Sequence, residues 1–234
     1  MSGKLTLVGT GPGDPELMTL KAVRVITGAD VVAYPGTEDE PGMAYRIAEA
    51  HVPNATRRIP IHIPMETARA AGQAAYDALA GELLPLLREG KTVAYLCEGD
   101  PLFYGSAMYL IDRLADDAEI EIVPGITSLT ATAAAIRRPL AGRNDVIKVL
   151  PATLDDARLR HELDGAEAVA IIKVGRHFAR IKALLERTGH AQSAMIVEYA
   201  THDRQKVSML ADYGEDERPY FSTILTYRGD EAWG

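Results

Sequence analysis

Apolar residues 5–8 form a short run that breaks into Gly9-Thr10-Gly11-Pro12-Gly13-Asp14-Pro15, after which Leu17, Leu20, Val23 and Val25 recur at roughly helical spacing up to Ile26. This pattern predicts a strand, a glycine-rich loop and a helix, with Asp14 as N-cap and Pro15 at the first helical position, where its missing N–H does no harm. Residues 31–33 then predict a second strand, residues 43–49 a helix, and the alternating stretch 58–63 an edge strand closed by Pro64. Between residues 66 and 87, Ala75, Leu79, Leu83 and Leu86 recur every three or four positions, as on an amphipathic helix that Pro85 is expected to kink or end. A continuous apolar run at 91–97 predicts a buried strand. It leads through Glu98-Gly99-Asp100-Pro101 into a helix bearing Phe103, Met108, Leu110, Ile111 and Leu114, and residues 119–123 form another strand.

The second half repeats this grammar, with strands predicted at 146–150, 168–174, 194–199 and 220–227 and helices at 155–163 and 178–187, the last closed by Gly189. Strands alternating with helices imply an α/β protein whose sheets are mostly parallel or mixed. Two such successive units fit two consecutive α/β domains, expected at residues 1–118 and 119–234 with the boundary at the acidic turn Asp116-Asp117-Ala118.

Composition narrows the class. A chain of 234 residues with 47% hydrophobic content has ample material for a buried core. No apolar stretch approaches the roughly 18 residues of a membrane helix, and the opening reads as a strand rather than a signal peptide, so a cytoplasmic protein is expected. Cys97 is the single cysteine, which excludes an intramolecular disulfide and a thiolate metal cluster. The six histidines are scattered, so no metal site is expected. A formal charge of -8 argues against general nucleic-acid binding, which depends on cationic side chains neutralising phosphates. An anionic ligand would need a local basic patch, for which Arg57-Arg58 and Arg137-Arg138 with Arg143 are candidates.

Three loops that each end a strand carry unusual chemistry, and ligands of open α/β sheets bind beyond the carboxyl ends of strands. The first, residues 9–13, begins like a dinucleotide fingerprint. Asp14 stands where the last glycine would be, and no acidic residue closes the second strand as a ribose acceptor, which disfavours a nicotinamide oxidoreductase. In the second loop, Asp100 and Pro101 read as an N-cap and a first helical residue, while Glu98 to Asp100 also expose backbone groups and a carboxylate to a cationic or polyhydroxyl ligand. The third, Pro124-Gly125-Ile126-Thr127-Ser128, opens a helix rich in alanine, with Thr127 or Ser128 as its cap. Lys173-Val174-Gly175 and Ala200-Thr201 end two later strands. Cys97 has no basic neighbour in sequence and reads as a buried apolar residue rather than a nucleophile.

Taken together, Val8-Gly9-Thr10-Gly11-Pro12-Gly13-Asp14-Pro15-Glu16-Leu17 with Thr19-Leu20-Lys21-Ala22, Glu98-Gly99-Asp100-Pro101-Leu102-Phe103-Tyr104-Gly105-Ser106, and Val123-Pro124-Gly125-Ile126-Thr127-Ser128 resemble the motifs of the tetrapyrrole methylase family. The second half, at residues 173–182 and 218–225, is similar to the branch that acts on precorrin-2 in cobalamin biosynthesis. The resemblance implies a homodimer of two-domain protomers, with S-adenosylmethionine folded in the cleft between the domains and a methyl group passing to a tetrapyrrole carbon. It implies donor contacts at Pro12, Glu98, Gly99, Asp100, Thr127, Ser128, Lys173, Val174, Ala200, Thr201 and Thr226. Many relatives that methylate uroporphyrinogen have glycine at the position of Glu98, and some relatives have methionine at that of Lys173.

The implied chemistry needs neither a metal nor a protein nucleophile, so catalysis is expected to rest on positioning, with Asp100 and Tyr104 as candidates for any direct role. Tyr104, Arg69, Arg137 and Arg143 are the expected substrate contacts, because a polycarboxylate requires cations from an acidic protein. Readings that stay open are the cobalt complex as substrate, another tetrapyrrole carbon, and a carrier that binds a tetrapyrrole without turning it over.

Overall fold

The computed structural model describes residues 3–63, 69–214 and 220–229, the side chains of 69–71 excepted. The chain divides into two compact units, Met1–Thr127 and Ser128–Gly234.

In the first unit, β1 (Lys4–Gly9), β2 (Val31–Pro35), β3 (Arg57–Ile61), β4 (Thr92–Cys97) and β5 (Glu119–Val123) form one sheet in the order β3-β2-β4-β1-β5. Every pairing in it is parallel. Alternate residues of the strands serve opposite faces. Leu5, Leu7, Val31, Ala33, Val93 and Tyr95 pack with Leu79 and Leu83 of α3 (Arg69–Arg88) and Leu110 and Leu114 of α4 (Met108–Leu114). On the other face Val8, Val32, Tyr34, Ala94 and Leu96 meet Ala22 and Ile26 of α1 (Leu20–Gly28) and Ile47 of α2 (Met43–Ala48). Continuous apolar runs in the strands therefore mean burial on both sides.

The second unit holds β6 (Ile147–Pro151), β7 (Ala168–Ile172), β8 (Met195–Glu198), β9 (Lys206–Met209) and β10 (Ser222–Tyr227) in the order β6-β7-β10-β8-β9. Only β6 and β7 pair in parallel; β10 and β9 run antiparallel to their neighbours. Helices α6 (Asp156–Leu163) and α7 (Phe178–Arg187) supply Leu159, Leu163, Phe178, Ile181 and Leu184 to one core, while Ala131 of α5 (Ser128–Ile136) packs with Val197 and Ala200 on a smaller one.

Several expectations change. The strand at 119–123, expected to open the second domain after residue 118, pairs with β1 and completes the first sheet, so the division falls after Thr127. The helix expected from Asp14 onward is split: Asp14 caps only a single 3-10 turn at Pro15–Leu17, and Thr19 caps α1 by accepting from the Ala22 amide at 3.1 Å. Pro85 neither ends nor interrupts α3, which runs on to Arg88. Leu83 and Leu87, both fully buried, anchor that last turn in the core, and each is worth about 1.5–3 kcal/mol against a cost of about 3 kcal/mol for a helical proline. The helix expected directly after Pro101 starts only at Met108, so Tyr104 lies in a loop. Strand β9 had no sequence signal. Residue 66, where the third helix was expected to begin, the Arg218-Pro219 pair and the Arg69 side chain lie outside the described residues.

Candidate functional site

Strands β4, β1 and β5 are adjacent and parallel, so the loops that follow Gly9, Cys97 and Val123 emerge side by side at the carboxyl edge of the first sheet. These are the three loops that the sequence singles out. They meet backbone to backbone. A Cβ built on Gly125 would lie 2.0 Å from the Gly99 carbonyl oxygen, and one on Gly9 would lie 2.6 Å from both the Gly125 nitrogen and the Gly99 oxygen. Glycine is therefore required at this crossing by lack of space.

Hydrogen bonds secure it. The amides of Gly99 and Gly11 donate to each other's carbonyls at 2.8 and 3.3 Å, and the Thr10 amide and hydroxyl both donate to the Cys97 carbonyl, at 2.8 and 3.1 Å. Asp100 ties the second loop to the third: one carboxylate oxygen accepts from the Leu102 amide at 2.9 Å, the other from the Gly125 amide at 3.0 Å. Both oxygens thus accept from the main chain, and Asp100 is a clamp between loops; the helix it was expected to cap at Pro101 does not form there, since α4 starts only at Met108. Pro12 and Gly13 are buried beside this crossing in sequence, and Thr127 is half-buried at the far end of the third loop.

Glu98 lies between Cys97, at the end of β4, and Gly99. Burial pushes its carboxyl up to about 7, so near neutral pH it is poised between acid and carboxylate. The Cys97 thiol is buried and burial drives its ionisation far upward, which agrees with an inert residue and not a nucleophile.

Strained backbone marks further positions. Tyr104, Arg137, Arg143, Lys173, Tyr199 and Thr201 have φ values of 54, 55, 41, 58, 49 and 70°, in the left-handed region that side-chain-bearing residues seldom adopt. Such strain costs of order 1–3 kcal/mol and gathers at functional sites. Five of these six are site candidates on sequence grounds; Tyr199 is not. Nothing in the residue types announces a left-handed lysine, tyrosine or threonine.

In the second unit Lys173, buried Val174 and buried Gly175 follow β7, and Ala200 and Thr201 follow β8, with the Thr201 amide donating to Gln205 Oε1 at 2.7 Å. Because β10 is antiparallel to both, the ends of β7 and β8 lie near its start. Thr226 is placed elsewhere. It pairs with Val169, near the beginning of β7, and its hydroxyl is buried, donating to the His190 carbonyl at 3.0 Å and meeting Ser193 Oγ at 2.9 Å. The structure does not bring Thr226 to the strand ends that carry Lys173 and Thr201.

The expected basic patch is thinned. Arg57 pairs with Glu82 at 3.1 Å, and Arg138 donates to the Ser193 carbonyl at 3.0 Å and lies 5.8 Å from the Tyr227 ring centroid. Arg137 and Arg143 are exposed, as is Tyr104, at 45%. Among the described residues no group of three metal-ligating side chains is found, and no helix is long and apolar enough to cross a membrane.

Against known proteins, residues 4–211 match the family model described as Tetrapyrrole (Corrin/Porphyrin) Methylases. The chain is 38% identical over 231 residues to a precorrin-2 C(20)-methyltransferase of Sinorhizobium sp, covering 95% of this chain and 94% of that one. It is 32% identical over 228 residues to a cobalt-precorrin-2 C(20)-methyltransferase of Salmonella typhimurium, covering 96% of each. Among solved structures, the uroporphyrin-III C-methyl transferase of Thermus thermophilus complexed with S-adenyl homocysteine superposes with a TM-score of 0.71 at 25% identity, over 95% of this chain and 97% of that one.

Proposed function

Since the chain belongs to the tetrapyrrole (corrin/porphyrin) methylases, we propose that it transfers the methyl group of S-adenosylmethionine to C(20) of precorrin-2, giving precorrin-3A in cobalamin biosynthesis. The observation that carries this reading is similarity along nearly the whole length of a precorrin-2 C(20)-methyltransferase, with the three glycine-crossed loops intact. The cobalt complex of the same substrate is the second reading, supported by the Salmonella relative at lower identity.

In the first unit the donor contacts are Pro12, Glu98, Gly99, Asp100 and Thr127. In the second they are Ser128, Lys173, Val174, Ala200 and Thr201. The donor supplies an activated methyl on a positively charged sulfur. The electron-rich meso carbon attacks it in line, the carbon–sulfur electron pair stays on sulfur, and the proton on the methylated carbon leaves to solvent or a base. The chain's own part is to hold the groups in place, an effect that reaches about 7–11 kcal/mol in the best intramolecular reactions. The locked glycine crossing and the Asp100 clamp suit this, because they fix the main chain before any ligand arrives. Glu98 presents a carboxyl to the polar groups of the donor, while Tyr104, Arg137 and Arg143 are assigned to the substrate and its carboxylates, as is Arg69, whose side chain lies outside the described residues. The reading includes a homodimer working in the cytoplasm, with no metal, nucleic acid or membrane as partner; the net charge of -8 supports the exclusion of nucleic acid.

The test is anaerobic incubation with precorrin-2 and methyl-labelled S-adenosylmethionine, followed by mass and carbon NMR spectroscopy. Label at C(20) is expected. Label at another carbon, or transfer to the cobalt complex alone, would overturn the assignment of carbon or of metal state respectively. Light scattering after size exclusion reads the dimer.

A further inference from the structure

Tyr104 holds a left-handed φ of 54° while its ring is 45% exposed and packs edge-on against Phe103 with centroids 5.1 Å apart. A strained residue of this kind persists only when its neighbours over-determine it. Before it, Asp100 fixes the start of the loop through the amides of Leu102 and Gly125. Immediately after it, Gly105 lies against the main chain, where a Cβ would stand 2.6 Å from the Pro101 carbonyl oxygen. The next residue, Ser106, hydrogen-bonds through its hydroxyl to the hydroxyl of Tyr76 on α3. Tyr76 Oη in turn lies 3.1 Å from Tyr95 Oη on β4. Both tyrosines are only 1% exposed, and the Tyr76 ring also packs on Tyr109 at 5.5 Å.

Two phenol groups are an expensive way to fill the space between a helix and a sheet, because a buried hydroxyl must be hydrogen-bonded to offset its desolvation. Phenylalanine would pack equally well without that requirement. Here the hydroxyls form a chain that runs from the core strand through the helix to the loop, two residues from Tyr104.

We propose that the Tyr76 hydroxyl is a positioning group: through Ser106 it holds the loop that sets the Tyr104 ring against the tetrapyrrole. The proposal rests on the substrate reading above for what Tyr104 meets, and on the first unit's geometry for how Tyr104 is held. Tyr95 backs Tyr76 from the sheet, and Asp100 closes the other end of the same loop.

The test compares wild type with Tyr76→Phe, Tyr104→Gly and the double variant, with Ser106→Ala as the cut from the loop side should Tyr76→Phe fold poorly. Hydrogen–deuterium exchange at residues 104–106 is expected to quicken about tenfold in Tyr76→Phe, with the circular dichroism spectrum unchanged. KM for the tetrapyrrole should rise about five- to tenfold, while affinity for S-adenosylhomocysteine stays within about twofold. In the Tyr104→Gly background, Tyr76→Phe should add nothing further to KM. Unchanged exchange, an equal loss of donor affinity, or additive effects on KM in the double variant would each overturn the proposal. Should wild type transfer no methyl to any tetrapyrrole, the substrate reading falls while the exchange comparison still decides whether Tyr76 holds the loop.

Discussion

The two units reach similar ends by opposite means. In the first, all five strands are parallel, and the loops at the carboxyl edge of β4, β1 and β5 are locked by glycine backbones with no room for a side chain. In the second, the sheet is mixed, and the loops after β7 and β8 place lysine, tyrosine and threonine at left-handed φ. Where its three loops cross, the first unit relies on contact, whereas the loops after β7 and β8 accept strain; Tyr104 of the first unit, at φ 54°, carries strain as well. The two should therefore respond to substitution with opposite signs, since adding a methyl to the first breaks it and removing a side chain from the second relaxes it.

The largest effect is expected at Gly125. A methyl placed 2.0 Å from the Gly99 oxygen forces the second and third loops apart, so Gly125→Ala should cost about 3 kcal/mol or more and lower the melting temperature by at least about 6–12 °C. A normal melt would show that the crossing is looser than described. Asp100→Ala follows, because it leaves the part-buried Gly125 amide and the exposed Leu102 amide without their carboxylate; chemical denaturation should show a loss of about 1–2 kcal/mol. If Asp100 were instead a catalytic base with no clamping role, stability would hold and only turnover would fall.

Glu98 sharpens the comparison through pH. Burial raises its folded-state pKa to about 7, above the usual 4.5, so the folded chain keeps a proton that the unfolded chain has lost. The destabilisation is absent below about pH 4.5, grows as pH rises through that window and is complete above about pH 7. Glu98→Gln should accordingly be more stable than wild type by about 2 kcal/mol at pH 8 and equal to it at pH 4.5, read from denaturant midpoints. A constant difference across that range would mean that Glu98 ionises normally. Smallest, and of opposite sign to Gly125→Ala, Thr201→Gly should gain about 0.5–1 kcal/mol by relieving a β-branched residue at φ 70°. A loss there would show that the Thr201 side chain contributes more than its strain costs.

What could be read from sequence follows the same division. Glycine, proline and aspartate advertise their roles, so the three loops of the first unit were visible as motifs, and parallel topology then sets them side by side. The burial of Leu83 and Leu87 overrode the Pro85 signal, and the left-handed Tyr104 delayed a helix that spacing alone would start at Pro101. In the second unit, strand β9 is only four residues long and exposed over its first two, too short for its alternation to stand out from the surrounding loop. Left-handed lysine and threonine leave no compositional trace, and the burial of Thr226 inside its own unit follows from an antiparallel pairing that local sequence does not encode. The Tyr95–Tyr76–Ser106 chain joins residues 19 and 30 positions apart and has no local signature at all.

On the proposed function, the glycine-locked loops receive the methyl donor. Hydrogen–deuterium exchange of the wild-type protein with and without saturating S-adenosylhomocysteine tests it most directly. The prediction is slowed exchange in all three segments, residues 9–14, 97–103 and 123–128. Protection confined to other parts of the chain, with these three segments unchanged, would contradict it.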